Sequence, residues 1–269
     1  MCRERRTVNT ILSIYKADAG CTCPVLVKLD NESRAVLKYP RNPQGMVVLL
    51  NEYVTGHLAK AIGLTTPHFG IAVVDDNTTL DTNLSSGVGL ENFRGIGFYS
   101  EYIPKTAPVS ARALRHAANL NEAAKIILLD HIVKNCDRHV GNLLITTNLA
   151  DPVIYAIDHS HAFGDPDWNI ADLSLNDIAS PYIWRENVSM YNMLINAGAL
   201  VTPEQLDSER RLIQAHITSD FLNNVFASIP SEWVNIIGSE NISHLRQYIS
   251  NRVENLEAIC NMINQERGV

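Results

Sequence analysis

The sequence predicts an α+β fold: an antiparallel β-rich part with one helix, residues 8–103, followed by a mainly helical part, residues 104–269. Three observations predict it. Before Pro104 the apolar residues fall in short alternating runs rich in Val and Ile, the period of a half-buried strand. After Pro104 they recur mainly at helical spacing. Within that second part stands one hairpin-like stretch, Leu143-Leu144-Ile145 and then Val153 to Ile157, entered through a polar loop and left through an acid, Asp158.

The elements follow in order. Residues 11–16, 25–30 and 34–39 read as three strands of a small meander, with Asp30-Asn31-Glu32-Ser33 as a turn. Lys38 lies inside the third strand. Residues 45–62 carry Val47, Leu50, Val54, Leu58, Ala61 and Ile62 at helical spacing, with Glu52 mid-helix, Gly63 as a C-terminal cap and Pro67 as a stop. Residues 68–75 and 97–103 read as strands joined by a long polar surface loop over 76–95. Beyond Pro104 a helix is expected over 111–119, with basic Arg112, Arg115 and His116. A second, mostly buried helix runs from an Asn121 cap to about Lys134. The hairpin turns at 148–152, and helices are expected over 172–179, 186–197, 203–215, 218–227 and 241–264, punctuated by Pro181, Pro203 and Pro230.

Composition narrows the function classes. The chain has 269 residues, 46% hydrophobic and 19% charged, which suits a packed core and excludes a disordered type. A net charge of -7 argues against a general polyanion-binding surface, so no nucleic-acid binding is inferred. Five cysteines, with only Cys21-x-Cys23 clustered, suit a reducing compartment, and the pair alone is two ligands short of an ordinary zinc site. The apolar run Ile11 to Tyr15 is too short for a signal peptide and no run approaches the ~20 residues of a membrane helix, so the expectation is a cytoplasmic protein without membrane insertion.

The hairpin carries the chemistry. Asn142 precedes one strand and Asp158 follows its antiparallel partner, and such strands bring the start of one to the end of the other. Two oxygen ligands remote in sequence would then face one hard cation such as Mg²⁺. Asp137 lies five residues before Asn142 in a loop, the spacing at which a protein-kinase catalytic loop places a proton acceptor and a metal-binding amide. Such Asp-Asn pairs are common by chance; the buried helix before, the strand after and the return to Asp158 add the context.

The motif Asp137-Arg138-His139-x-x-Asn142, with Ile157-Asp158-His159-Ser160-x-Ala162-Phe163, resembles the HipA-like kinase family. The resemblance takes in Lys38, the Asn51-Glu52 helix, Gly63-Leu64 with Pro67, and Ser100-Glu101-Tyr102-Ile103-Pro104, so it covers roughly residues 10–165. The motif is similar to that of phosphoinositide kinases too. The resemblance implies a protein-kinase-like, two-lobed fold and use of ATP with Mg²⁺. It implies that Lys38 holds the nucleotide phosphates, with Glu52 orienting it. Glu101, Tyr102 and Ile103 would be the adenine hinge, Asp137 the base, and Asn142 and Asp158 the metal ligands. The acceptor it suggests is a protein Ser/Thr, and it leaves room for an antitoxin-like partner.

Departures are visible. Only Gly20 lies in the first turn, so no G-x-G-x-x-G loop is present, and Thr22 is the candidate for a phosphate contact there. His159-Ser160 follows Asp158 where Phe-Gly would mark an activation segment, and no separate N-terminal subdomain fits before residue 10. Arg138 and His139 have no derived task; for His139 the readings are a brace for the loop, the favoured one, or a contact to a phosphate. Other readings stay open: a small-molecule or lipid kinase, a nucleotidyl transferase, a catalytically inactive nucleotide-binding module, or a metal-dependent hydrolase built from His131, Asp137, His139, Asp158, His159 and His161.

Overall fold

The computed structural model describes residues 8–17, 22–81, 84, 89–148 and 150–268. Strands β1 (Asn9–Ala17), β2 (Val25–Leu29), β3 (Arg34–Lys38), β4 (Phe69–Val74), β5 (Thr79–Leu80) and β6 (Gly95–Glu101) form one sheet in the order β2-β3-β6-β4-β1-β5. β1 also pairs with β2, so five of the strands close on themselves. The sheet is not wholly antiparallel, because β1 runs parallel to β4 and β5. Alternation puts Val25, Val27 and Leu29 inside, where they meet Ile11, Ile14, Leu37 and Ala72 in a core of their own.

Helix α1 (Val47–Ala61) is buried almost all round, polar Asn51, Glu52 and Thr55 included. It lies between sheet and helices, with Tyr53 edge-on to Trp233 at 5.9 Å. Gly63, at φ +66°, ends it in the left-handed conformation expected of a glycine cap. The stretch expected as one surface loop over 76–95 contains regular structure. β5 pairs with β1, and Thr78 donates its hydroxyl to the Ile11 carbonyl at 2.8 Å. Residues 82, 83 and 85–88 of that stretch, like Gly20 and Cys21, lie outside the described residues.

A three-stranded sheet opens the helical part: β7 (Thr106–Pro108), β8 (Leu143–Thr146) and β9 (Ile154–Ala156). β7 has no sequence signal, being three residues that include a proline. Helix α2 (Ala111–Leu114) is shorter than expected, and α3 (Ala123–Ile132) is not capped by Asn121. A 3-10 turn over Leu120–Glu122 leads into α3, and Glu122 accepts from the Thr65 amide and hydroxyl, each at 2.8 Å. The helices that follow are α4 (Pro181–Asn196), α5 (Pro203–His216), α6 (Ser219–Phe226), α7 (Ser231–Ile237), α8 (Ser239–Glu254) and α9 (Leu256–Arg267).

Three expectations fail here for local reasons. No helix forms over 172–179, because Asn169 and Asp172 close a capping box on a single 3-10 turn, Ile170–Asp172. The helix expected over 186–197 starts earlier, at Pro181, because Ser180 caps it and a proline is favoured at the first helical position. The long helix over 241–264 breaks at Asn255, which leaves helical geometry and turns its side-chain amide onto the Asn251 carbonyl at 2.8 Å. Among the described residues no helix is long and apolar enough to cross a membrane.

Candidate active site

β3 ends at Lys38, whose side chain points inward because the alternation that buries Leu37 on one face leaves Lys38 facing α1 and the hairpin. Its ammonium pairs with the Glu52 carboxylate and reaches Asp158 Oδ1 at 2.7 Å. Lys38 and Glu52 are buried, so Glu52 is not the water-facing residue a mid-helix acid often is. Glu52 also accepts from the backbone N–H of His159. Burial pulls the Lys38 ammonium down, but Glu52 and Asp158 together more than reverse this and its pKa is raised. Burial pushes the Asp158 carboxyl up, yet the Lys38 ammonium and the Ser160 hydroxyl hold it far below the usual carboxylate range. Burial raises Glu52, and Lys38 offsets only part of that. Asp158 differs from Glu52 in access: it sits deep among protein atoms but keeps 41% of its side-chain surface open to the cleft.

The hairpin gathers the other groups. The β8–β9 ladder runs to Leu143 opposite Ala156, and the Ile157 N–H donates to the Asn142 carbonyl at 3.1 Å. One residue on, Asp158 takes φ +55°, a left-handed conformation that turns the chain out of the ladder. The Asn142 side-chain amide donates to the Asp137 carbonyl at 2.7 Å and to Asp137 Oδ2 at 3.5 Å. Its Oδ1 therefore stands at the opposite end of the amide. Asp158 Oδ1 accepts from Lys38 and from the Ser160 hydroxyl at 2.6 Å, which leaves Oδ2 as its second oxygen. Both residues stand at the same end of the ribbon, and an amide oxygen and a carboxylate oxygen are hard donors of the chemistry Mg²⁺ takes.

Asp137 sits at the outer lip with its side chain 45% exposed. Its backbone N–H is held by Asn135 Oδ1 at 3.1 Å. His139 Nδ1 accepts the Gly141 N–H at 3.0 Å, so this ring braces the turn, and its Nε2 is 3.8 Å from Asp137. Arg138 points the other way, into the interior, onto Asp130.

A cavity of about 570 Å³ runs from Lys38, Glu52 and Asp158 to Glu101, Tyr102 and Ile103. Val36 and Phe98 line one wall and Leu144 and Ala156 the other. The volume suits a nucleotide-sized ligand. At its far end the Glu101 N–H donates to the His68 carbonyl at 2.7 Å and the Tyr102 N–H to the Arg34 carbonyl at 2.9 Å. The Ile103 carbonyl accepts from the Thr106 hydroxyl at 3.1 Å. Among the described residues no bond takes the Ile103 N–H.

Lys38, Glu52 and Asp158 thus converge, Asn142 flanks them across the ribbon, and residues 101–103 share their cavity. Thr22 does not join them; it is buried and outside the cavity lining. The rival set of histidines does not assemble either. His131 is buried with Nδ1 2.8 Å from the Ile127 carbonyl, and burial lowers its pKa to about 4. Among the described residues no three His, Cys, Asp or Glu side chains are placed to share a metal ion. Sequence reasoning gave no task to Asp130, Asn187 and Tyr191, and named Ser160 only within the motif. Asp130 left a trace of its own, an acid beside His131 in a run from Ile126 to Val133 that is otherwise apolar.

A sequence profile described as HipA-like kinase matches residues 10–262, so the likeness runs through the helices and well past residue 165. Curated proteins give no match. Among solved structures, the proinflammatory kinase CtkA of Helicobacter pylori is similar over 94% of this chain and 98% of its own, at TM-score 0.54 and 12% identity. Hydra Fam20, solved with sugar, is similar over 96% of this chain and 86% of its own, at TM-score 0.51 and 13% identity. A Golgi casein kinase is similar over 98% of this chain and 74% of its own, at TM-score 0.50 and 16% identity. At these identities the likeness concerns the fold, which is kinase-like.

Proposed function

The chain belongs to the HipA-like kinase family and is a kinase, and from that premise we propose that it moves the γ-phosphoryl group of Mg-ATP onto a protein Ser/Thr hydroxyl. The observation that carries this reading is the 2.7 Å contact between Lys38 and Asp158, which joins strand β3 to the hairpin bearing Asn142. Residues 8–103 and 104–269 are then the two lobes, with the cavity between them as the nucleotide site.

In this reading adenine lies between Val36 and Ala156 and receives the Ile103 N–H. Lys38 turns its ammonium to the phosphates, and Glu52 keeps that ammonium charged and aimed. Asn142 Oδ1 and Asp158 Oδ2 would hold the magnesium ion, which when bound neutralises phosphate charge. The acceptor oxygen bonds to the γ-phosphorus as the bond to the bridging oxygen of ADP breaks, and Asp137 accepts the hydroxyl proton. Asp137, His139 and Val140 are 45% exposed or close to it, at 55% and 41% for the latter two. A hydroxyl delivered from outside, on the surface of a macromolecule, suits that setting better than a small molecule enclosed in the cavity.

The test is incubation of candidate protein acceptors with Mg-ATP, read by phosphopeptide mass spectrometry beside Asp137→Ala and Asp158→Ala. The wild type should add phosphate and both variants should not. Equal products in all three would overturn the assignment.

A further inference from the structure

Arg138 and Asp130 form a buried ion pair whose two side chains are both 0% exposed. Arg138 Nε lies 3.2 and 3.1 Å from the two Asp130 oxygens, and Nη2 lies 2.8 Å from Oδ1. The remaining nitrogen, Nη1, donates to two carbonyls at once: Asn142 at 3.0 Å and Ile157 at 3.1 Å. Those two carbonyls belong to the residue that offers the amide oxygen and the residue just before Asp158. They sit where the β8–β9 ladder ends and Asp158 turns away.

From this geometry, and resting on the magnesium-ATP reading above, we infer that Arg138 is a positioning residue that sets the separation of Asn142 and Asp158. Its flat guanidinium acts as one more rung across the ribbon, at the place where backbone pairing stops. A planar fork with divergent donors can reach a carboxylate on one edge and two carbonyls on the other. A lysine at this position has one nitrogen and cannot span both edges. Asp130 fixes the fork in turn. It also accepts from Asn135 Nδ2 at 2.8 Å and from the Tyr191 hydroxyl at 3.2 Å. Asn187 completes the frame: its Oδ1 takes the Arg138 N–H at 2.8 Å and its Nδ2 donates to the Asn135 carbonyl at 2.7 Å and the Tyr191 oxygen at 2.9 Å. The loop that carries Asp137 is thereby tied to the same frame as both ligand-bearing strands.

A purely structural ion pair would weaken the fold without regard to metal. A positioning pair predicts a split between metal-dependent and metal-free binding. The test is ADP affinity by calorimetry, in Mg²⁺ and in EDTA, for the wild type, Arg138→Lys and Tyr191→Phe. Arg138→Lys should weaken Mg-ADP by about 10- to 100-fold, as loss of groups that orient metal ligands does, and change metal-free ADP by less than about 2-fold. Tyr191→Phe, which removes the hydroxyl that donates to the Asp130 carboxylate and accepts from Asn187 Nδ2 and keeps the ring packed, should shift Mg-ADP in the same direction by about 3- to 10-fold. It gives the answer even if Arg138→Lys does not fold. Equal weakening with and without Mg²⁺, in whichever variants fold, overturns the inference and leaves the proposed function standing. Wild-type ADP affinity indifferent to Mg²⁺ overturns both.

Discussion

Replacing Lys38 with Met should cost far more stability than replacing Glu52 with Gln, although both break the same ion pair. Glu52 is the more deeply enclosed partner, its side chain 4% exposed against 9% for Lys38. Without Lys38, the donor that remains to it among the described residues is the His159 N–H. A buried charge left this way typically costs about 3–5 kcal/mol. Without the Glu52 charge, Lys38 still has Asp158 at 2.7 Å, and Gln can accept a neutral hydrogen bond. Glu52→Gln should therefore cost about 1–2 kcal/mol, the difference between a charge-assisted and a neutral bond. For a chain of this size the Lys38→Met deficit corresponds to roughly 6–20 °C in Tm. The double variant removes the stranded carboxylate and should fall short of additivity by about 2 kcal/mol. Urea unfolding at pH 7 measures all three. The pH dependence adds a signature. A carboxyl whose folded pKa lies above its unfolded one favours folding at low pH, and that contribution is lost as pH rises through the folded value. Since burial already raises Glu52, the Lys38→Met deficit should shrink between pH 8 and pH 5. Equal costs for the two single variants, or strict additivity in the double, would refute the reasoning.

Three further outcomes follow from the same geometry. His131 and His159 are buried and neutral, with pKa lowered by burial to about 4 and about 3; the unfolded chain protonates first as pH falls through about 6.5, so stability should drop by about 3–4 kcal/mol between pH 7 and pH 5, measured by urea unfolding at each pH. Asp137→Asn should lower transfer by about 10²- to 10⁴-fold while leaving Mg-ADP affinity within about 2-fold, by kinetics and calorimetry. The Asn142 amide holds mainly the Asp137 carbonyl, at 2.7 Å, so this change should not displace it. Asn51→Ala removes bonds to the Ser160 and Ala162 carbonyls and to Trp168 Nε1, at 2.8, 3.1 and 2.8 Å. It should cost about 3–4 kcal/mol and speed hydrogen exchange in residues 158–168.

The groups legible in the sequence are those on regular elements. Asn142 and Asp158 follow from antiparallel pairing, which brings the start of one strand to the end of its partner; Lys38 and Glu52 were placed on β3 and α1 by period, but their pairing was legible only through the family resemblance, since α1 is buried almost all round and its period singles out no face. Arg138 was visible only as part of a motif. Its task depends on Asp130, Asn187 and Tyr191 from other helices, and tertiary contacts of that kind have no period to read. β7 escaped for a similar reason: three residues with a proline are a strand only because β8 lies beside them. The helix expected over 172–179 failed because Asp172 is spent closing a turn, and the one over 241–264 broke at a single asparagine. Thr22 was placed by analogy with loops that hold phosphate through backbone amides, and packing has buried it instead.

In the proposed function the terminal phosphoryl group of ATP is what leaves the nucleotide. Parallel reactions with α-labelled and γ-labelled Mg-ATP, with protein acceptors and with water alone, read it directly. The γ-label should appear on protein or as free phosphate, the α-label should remain in ADP, and Asp158→Ala should abolish both movements of the γ-label. Transfer of the α-label, or γ-label release that survives Asp158→Ala unchanged, would contradict the account.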